Sequence, residues 1–462
     1  MTRLMIIVAP LALVASLAAA AEPPSTAVLS LRDAVNYALQ HSPDLKMSQA
    51  EVERRQGVVT TALAVRRPQL DLAADAARTR FEHGYPAGSD PSQLRFDTTL
   101  YAGSADLKVL LWDFDKTALE LAATRERVDA ARATVDRRQQ EIVFETARLY
   151  LQTLAYGDLI DAAQARTKSL QSLLDRTNQL VEAGRAVPVD ALKIHTRLAQ
   201  VESDLASLRS GRRSSLSALA AVMGLDGDLP ELASTPASAA PPAPPGPEGD
   251  LLRQAVAGRP ELRSQDFEIR AGSRAEEAVR KSAWPRIDLR ASVIQYGANS
   301  PVGFTQLIGK LLPGLSPASP PLGSGATDWV VGVHASFSLF DGGRRHGQMQ
   351  VAQAQLLQSR LAREQLQLRI TREVRTALAD LESAETRVTS LRDSVTESER
   401  VLHDEQLKFE AGRSVVNFVL DAESALLTNQ SLLSQAERSV STATLALDLS
   451  LGRIDINRLP NP

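Results

Sequence analysis

Asp115 to Val181 reads DKTALELAATRERVDAARATVDRRQQEIVFETARLYLQTLAYGDLIDAAQARTKSLQSLLDRTNQLV, a run with no proline and one glycine, Gly157. Gly343 to Phe409 is a second stretch of equal length; it too lacks proline and holds one glycine, Gly347, after its first residue. At the α-helical rise each would extend roughly 100 Å. Helices of globular domains run only a few turns, so rods of this length suit a coiled-coil stalk or a tube. Each rod ends at Ala-Gly-Arg (183–185 and 411–413), and a second periodic segment follows and runs back alongside.

Ahead of each rod the period changes from 3.6 to 2. Leu70, Leu72, Ala74 and Ala76 alternate with Gln69, Asp71, Ala73 and Asp75, which predicts a strand over about 68–81. Tyr101, Gly103, Ala105, Leu107, Val109 and Leu111 share one face of a second strand, about 97–112. The same pattern predicts strands over about 285–298 and 327–340, with Trp329, Val331, Val333, Ala335, Phe337 and Leu339 on one face of the latter. Strands of this length, tilted, are long enough to cross a bilayer.

The chain repeats itself. Pro43-Asp44-Leu45 returns as Pro260-Glu261-Leu262, an offset of 260 − 43 = 217. Leu111-Trp112-Asp113 returns as Leu339-Phe340-Asp341, offset 340 − 112 = 228. The offset grows only within a Gly/Pro/Ser-rich loop between paired strands, where insertions are tolerated. A tandem duplication follows: 22–235 forms the first repeat, with long helix 115–181 and return helix 187–223. The proline- and alanine-rich 236–249 is a linker, and 250–462 forms the second repeat, with helices 343–409 and 415–451.

Composition narrows the function. Lys and Arg number 52 against 55 Asp and Glu, for a net charge of −3, so no basic nucleic-acid surface is expected. The absence of cysteine removes thiol catalysis, disulfides and a lipid-modified N-terminal cysteine together. The six histidines form no short-spaced ligand pair, and no serine, histidine or glycine lies in a nucleophile, metal or phosphate context. No catalytic residue, metal site or cofactor is therefore expected, and the chain reads as a non-enzyme. Arg3, the apolar Leu4–Leu17 and Ala19-Ala20-Ala21 make residues 1–21 a signal peptide.

Seam residues Val374, Leu378, Leu381, Glu385, Val388, Leu391, Val395, Ser398 and Leu402 advance by threes and fours in near alternation, the period of a left-handed coiled coil. Arg372, Glu373, Arg375, Asp380, Arg387 and Arg392 are expected on the solvated face. Four strands cannot close a barrel, and open edges are costly in lipid. If the strands cross a membrane, several copies must share one barrel. Aromatic residues flank the strands: Trp112, Trp284 and Phe340 at the helix side, Phe81, Phe96, Tyr296 and Trp329 at the loop side. These are expected at the two membrane interfaces.

The duplication, the Leu-Trp-Asp and Leu-Phe-Asp junctions, and the tip FEAGRSVVNFVLDA (409–422) resemble the TolC-type outer membrane efflux proteins, the outer membrane factors of tripartite pumps. The resemblance implies a mainly α fold with a β-barrel portion. Long antiparallel helical hairpins would build an α-barrel tunnel, and four strands per chain a 12-stranded trimeric outer-membrane barrel. It implies a homotrimer in the outer membrane of a Gram-negative bacterium, embedded in lipid, with a long periplasmic portion. A periplasmic adaptor and an inner-membrane pump of RND or ABC type would be its partners, and efflux its task. An exit duct for type I protein secretion is the alternative within transport; a non-conducting coiled-coil stalk is the alternative outside it.

The resemblance also assigns the tips. Gly184 and Gly412, both expected as C′ glycines of the long helices, would dock the adaptor with Val187 and Val415. Relatives carry two aspartates on the inner turn. Here the second matches Asp421 and the first matches Phe418, whose counterpart in the first repeat is Asp190. An apolar ring at Phe418 and a carboxylate ring at Asp421 would constrict the entrance. Phe409 stands where relatives place a tyrosine, so a hydroxyl latch is lacking there.

Overall fold

A computed structural model describes residues 28–82, 95–184, 187–227, 229–233, 246–298, 327–411, 413–456 and 459. The expected signal peptide, most of the expected linker, and Gly412 lie outside the described residues. In chain order the elements are β1 (Val28–Leu29), α1 (Leu31–His41), α2 (Pro43–Ala64), β2 (Gln69–Glu82), β3 (Arg95–Trp112), α3 (Lys116–Glu182) and α4 (Pro188–Met223). They continue as β4 (Glu231–Leu232), α5 (Glu248–Gly258), α6 (Pro260–Lys281), β5 (Arg286–Ala298), β6 (Thr327–Ser336), α7 (Arg344–Glu410) and α8 (Val416–Ser450). Both long helices contain 67 residues. No described helix is long and apolar enough to cross a membrane.

The chain divides into two compact units. One comprises 1–49, 134–261 and 366–462, the other 50–133 and 262–365.

In the first unit, α1 begins at Ser30, whose hydroxyl oxygen accepts from the Asp33 amide at 3.1 Å, an N-cap that satisfies a free helix-end donor. Leu31, Ala34, Val35 and Ala38 form its buried stripe against Ile142, Ala147, Tyr150, Leu219 and Met223. β1 and β4 pair in parallel, Leu29 opposite Leu232. The fully buried Tyr150 hydroxyl lies 2.9 Å from the Leu29 carbonyl and 2.8 Å from that of Ala233, so the phenol clasps both strands. Sequence periodicity did not find these strands, because so short a strand carries no alternation.

The repeats share one close packing. Gly224, in the left-handed conformation, ends α4 against the carbonyl of His41, at the break between α1 and α2. Gly452, at φ +68°, lies equally close to the carbonyl of Gly258, at the break between α5 and α6. Next to that second break sits Arg259, fully buried, 2.5 Å from Glu373 and 3.7 Å from Glu261. Glu373 is therefore a counter-ion, not part of a free solvated face, because a guanidinium out of water needs a carboxylate. Along α7, Val374, Leu381 and Val388 are buried and the intervening seam residues half-buried.

The second unit holds an antiparallel sheet in the order β2-β3-β5-β6. Register places Leu70, Leu107, Ala291 and Val331 in one row and Leu72, Ala105, Val293 and Trp329 in the next. A bulge between Leu110 and Trp112 brings Trp112 opposite Ile287, onto this apolar face. Strict alternation had placed Leu111 there; the extra residue of the bulge shifts the phase. β6 stops at Ser336, short of the expected Phe340, so Phe337 to Phe340 lie beyond the strand.

Both strand-to-helix junctions use two consecutive residues at positive φ. They are Phe114 and Asp115 (55° and 67°) in the first repeat, Gly342 and Gly343 (65° and 89°) in the second. A carboxylate caps each helix. Asp113 accepts from the Thr117 amide at 2.9 Å, and Asp341 from the Arg345 amide at 3.1 Å. The Arg345 amide bond comes first among the causes that hold the Asp341 carboxyl below its ordinary range. Among the helices, the missing side chain of Gly272 admits Leu356, and Arg363 meets Asp266 at 2.5 Å.

Candidate functional site

Two regions have the geometry to carry function: the end of the helical hairpins in the first unit and the two-faced sheet in the second.

At the hairpin ends, α3 closes at Gly184 with φ +65°, the left-handed conformation of a C′ glycine. Val187 and Val415 then start α4 and α8 with nearly the same backbone, φ −96° and ψ 142° against φ −97° and ψ 151°. Both valines are exposed. Glu405 ties the second turn, accepting from Lys408 Nζ at 2.6 Å and from the Ser414 hydroxyl at 2.9 Å. The Lys408 hydrogen bond comes first among the causes that hold the Glu405 carboxyl below its usual range.

Phe418 projects into solvent at 58% exposure, and Asp421, one turn further along α8, is also exposed. Their first-repeat counterparts form an ion pair, Lys193 to Asp190 at 3.5 Å. Lys193 and Asp421 line a groove of about 740 Å³ together with Arg166, Arg197 and Asp204. Phe409 lies elsewhere, packed on the apolar cluster of Leu170, Ile194, Val201, Val416 and Leu420. Within one protomer it is a packing residue and does not join Phe418 on the exposed face.

Glu423 was not singled out from the sequence. It follows Val416, Val419 and Leu420 on the buried stripe of α8, and a carboxylate in an apolar stripe is the signal that would have found it. It is buried, hydrogen-bonded to Ser169, with Arg166 and Arg197 nearby. Burial dominates and raises its carboxyl above the ordinary value, and burial likewise lowers Arg166. The exposed acid Asp421 and the buried acid Glu423 thus lie two positions apart on one helix.

In the sheet, the apolar face is exposed although it is built of large side chains. Leu72 is 77% exposed, Trp329 74% and Val333 66%. The opposite face carries Asp71, Asp106, Lys108, Asp288 and Arg290. Trp112, Trp284 and Phe340 are all exposed on the helix side. Phe114 stacks on Trp284 at 5.1 Å and meets Trp112 edge-on at 6.1 Å. The Tyr296 side chain, like those of Phe81 and Phe96, lies outside the described residues. Strands β2 and β6 are the sheet edges, and neither has a second strand partner among the described residues. No cluster of metal-ligating residues occurs among the described residues.

Residues 34–225 and 251–453 match the outer membrane efflux protein family. Outer membrane efflux protein BepC of Brucella suis is 26% identical over 434 residues, covering 93% of this chain and 87% of that protein. Fusaric acid resistance protein FusA of Burkholderia cepacia is 23% identical over 317 residues, 68% of this chain and 56% of that protein. Among solved structures, CusC superposes with a TM-score of 0.75 at 18% identity, covering 94% of this chain and 99% of that chain. VceC of Vibrio cholerae gives 0.70 at 20% identity, covering 91% and 96%.

Proposed function

Since the chain belongs to the outer membrane efflux protein family, we propose that it is the trimeric exit duct of a tripartite efflux system. Three copies pool four strands each into one barrel. Their long helices continue it as a periplasmic tunnel, which an adaptor joins to an inner-membrane pump. The observation that carries this reading is the sheet: one exposed apolar face, one charged face and two edge strands. Edge groups are expensive in lipid and a single four-stranded sheet cannot close, so β6 of one copy pairs with β2 of the next. The same pairing turns the rows of Leu70, Leu107, Ala291 and Val331 and of Leu72, Ala105, Val293 and Trp329 toward lipid, and Asp71, Asp106, Lys108, Asp288 and Arg290 toward a watery lumen.

At the hairpin ends, Phe418 and Asp421 form the gate, with Asp190 beside them, and Phe409 backs it from the apolar cluster behind. Gly184, Val187, Gly412 and Val415 dock the adaptor. A small-molecule cargo is favoured over a secreted protein by the likeness to a protein named for fusaric acid resistance.

The test is biochemical. The full-length protein should fractionate with the outer membrane as a heat-modifiable trimer and conduct in planar bilayers. A soluble monomer, or a lipid-bound form without conductance, would remove the duct.

A further inference from the structure

The charged face of the sheet has an order that membrane crossing alone does not require. Asp71 lies directly opposite Asp106, and Lys108 directly opposite Arg290. Like charges facing each other across strands oppose pairing. The chain places two such pairs on adjacent rungs, about 7 Å apart along the strands. Among the described residues neither pair has a counter-ion closer than 4.0 Å. Asp71 and Lys108 make no ion pair among the described residues. Among the described residues, Asp106 accepts from the Ser104 hydroxyl, at 3.0 Å. Arg290 reaches Asp288 at 4.0 Å, but Arg286 already occupies that carboxylate at 3.0 Å. All four side chains are exposed.

We propose that these rungs form an ion-discriminating collar inside the barrel, separate from the gate at the hairpin ends: Lys108 and Arg290 attract anions, and Asp71 and Asp106, one rung further from the helices, attract cations. The collar rests on the duct reading, because only a closed barrel turns this face inward. In the trimer each rung recurs three times around the lumen, where like charges reinforce one another and the low-dielectric wall focuses their field. Solutes leaving the duct then meet a positive band followed by a negative one, an arrangement that favours zwitterions or paired ions over a lone charge of either sign.

The experiment uses the full-length trimer in planar bilayers under a KCl gradient at low ionic strength, where screening is weakest. The readout is the potassium-to-chloride permeability ratio. Lys108→Gln with Arg290→Gln should raise that ratio about twofold or more, and Asp71→Asn with Asp106→Asn should lower it by a similar factor. Because the chain has no cysteine, Lys108→Cys gives a second route in already assembled channels. A negatively charged thiol reagent should raise the ratio and a positively charged one lower it, which decides the matter if a double variant fails to insert. Wild-type conductance with an unmoved ratio in every variant and reagent overturns the collar and leaves the duct standing. A wild type that forms no channel overturns the duct, and the collar with it.

Discussion

A methyl group on Gly224 would lie 2.8 Å from the carbonyl oxygen of His41. The obstacle is backbone, so no rotamer change relieves it, and Gly224 already holds φ +75°. Gly224→Ala should cost about 2 kcal/mol or more. Gly452→Ala should cost a similar amount, because its methyl would meet the Gly258 carbonyl carbon at 2.9 Å. Thermal unfolding followed by circular dichroism checks both; a variant as stable as wild type would mean that the two breaks do not anchor the return helices.

The paired positive-φ turns should respond asymmetrically. Nothing lies within 4 Å of a methyl on Gly343, so Gly343→Ala pays only for its left-handed backbone, about 1 kcal/mol. Asp115→Gly removes the same strain at an exposed position and should be neutral or stabilising. Equal losses at both positions, in thermal melts of the two variants, would contradict the shared turn.

Glu373→Ala leaves the buried Arg259 with one weaker carboxylate among the described residues, Glu261, 3.7 Å away. A buried guanidinium that loses its close hydrogen-bonded carboxylate is costly, so a loss of about 2 kcal/mol is expected. Urea unfolding of Glu373→Ala beside Arg372→Ala, an exposed neighbour, separates this from a generic surface effect.

Acid should stabilise the hairpin ends through Glu423. Its folded carboxyl is raised above its ordinary value by burial, so the folded state holds a proton that the unfolded chain releases. The stability tied to that proton is complete below the unfolded pKa and is lost as pH rises through the folded pKa. Glu423→Gln cannot titrate, so its melting temperature should lose this component of the pH dependence. Identical pH profiles for variant and wild type would show that Arg166 and Arg197 hold the acid ionised throughout.

If Phe418 constricts the entrance, Phe418→Ser should increase single-channel conductance in planar bilayers, since an apolar ring opposes wetting. Asp421→Asn removes the carboxylate ring and should weaken cation preference. Unchanged conductance in Phe418→Ser would remove Phe418 from the gate.

Much of this is legible in the sequence, because the relevant signals are local. The long helices could be read because a long run without proline and with few glycines leaves the backbone one favourable ladder to follow. The strands could be read because side chains alternate strictly across a pleat, large apolar residues on one face and charged ones on the other. The duplication could be read because the same turn and cap residues recur at constant offsets.

What the tertiary structure alone decided concerns partners distant in sequence. Tyr150 clasping Leu29 and Ala233, Arg259 drawing Glu373 out of a solvated face, and Glu423 sinking between Ser169 and Arg166 each join segments far apart in the chain. The bulge at Leu111 and the early end of β6 are set by the neighbouring strand and not by alternation. The opposition of Lys108 to Arg290 likewise exists only once register is chosen. Periodicity tells a residue which face it occupies; only packing tells it which residue it faces, because burial and charge are energies of pairs.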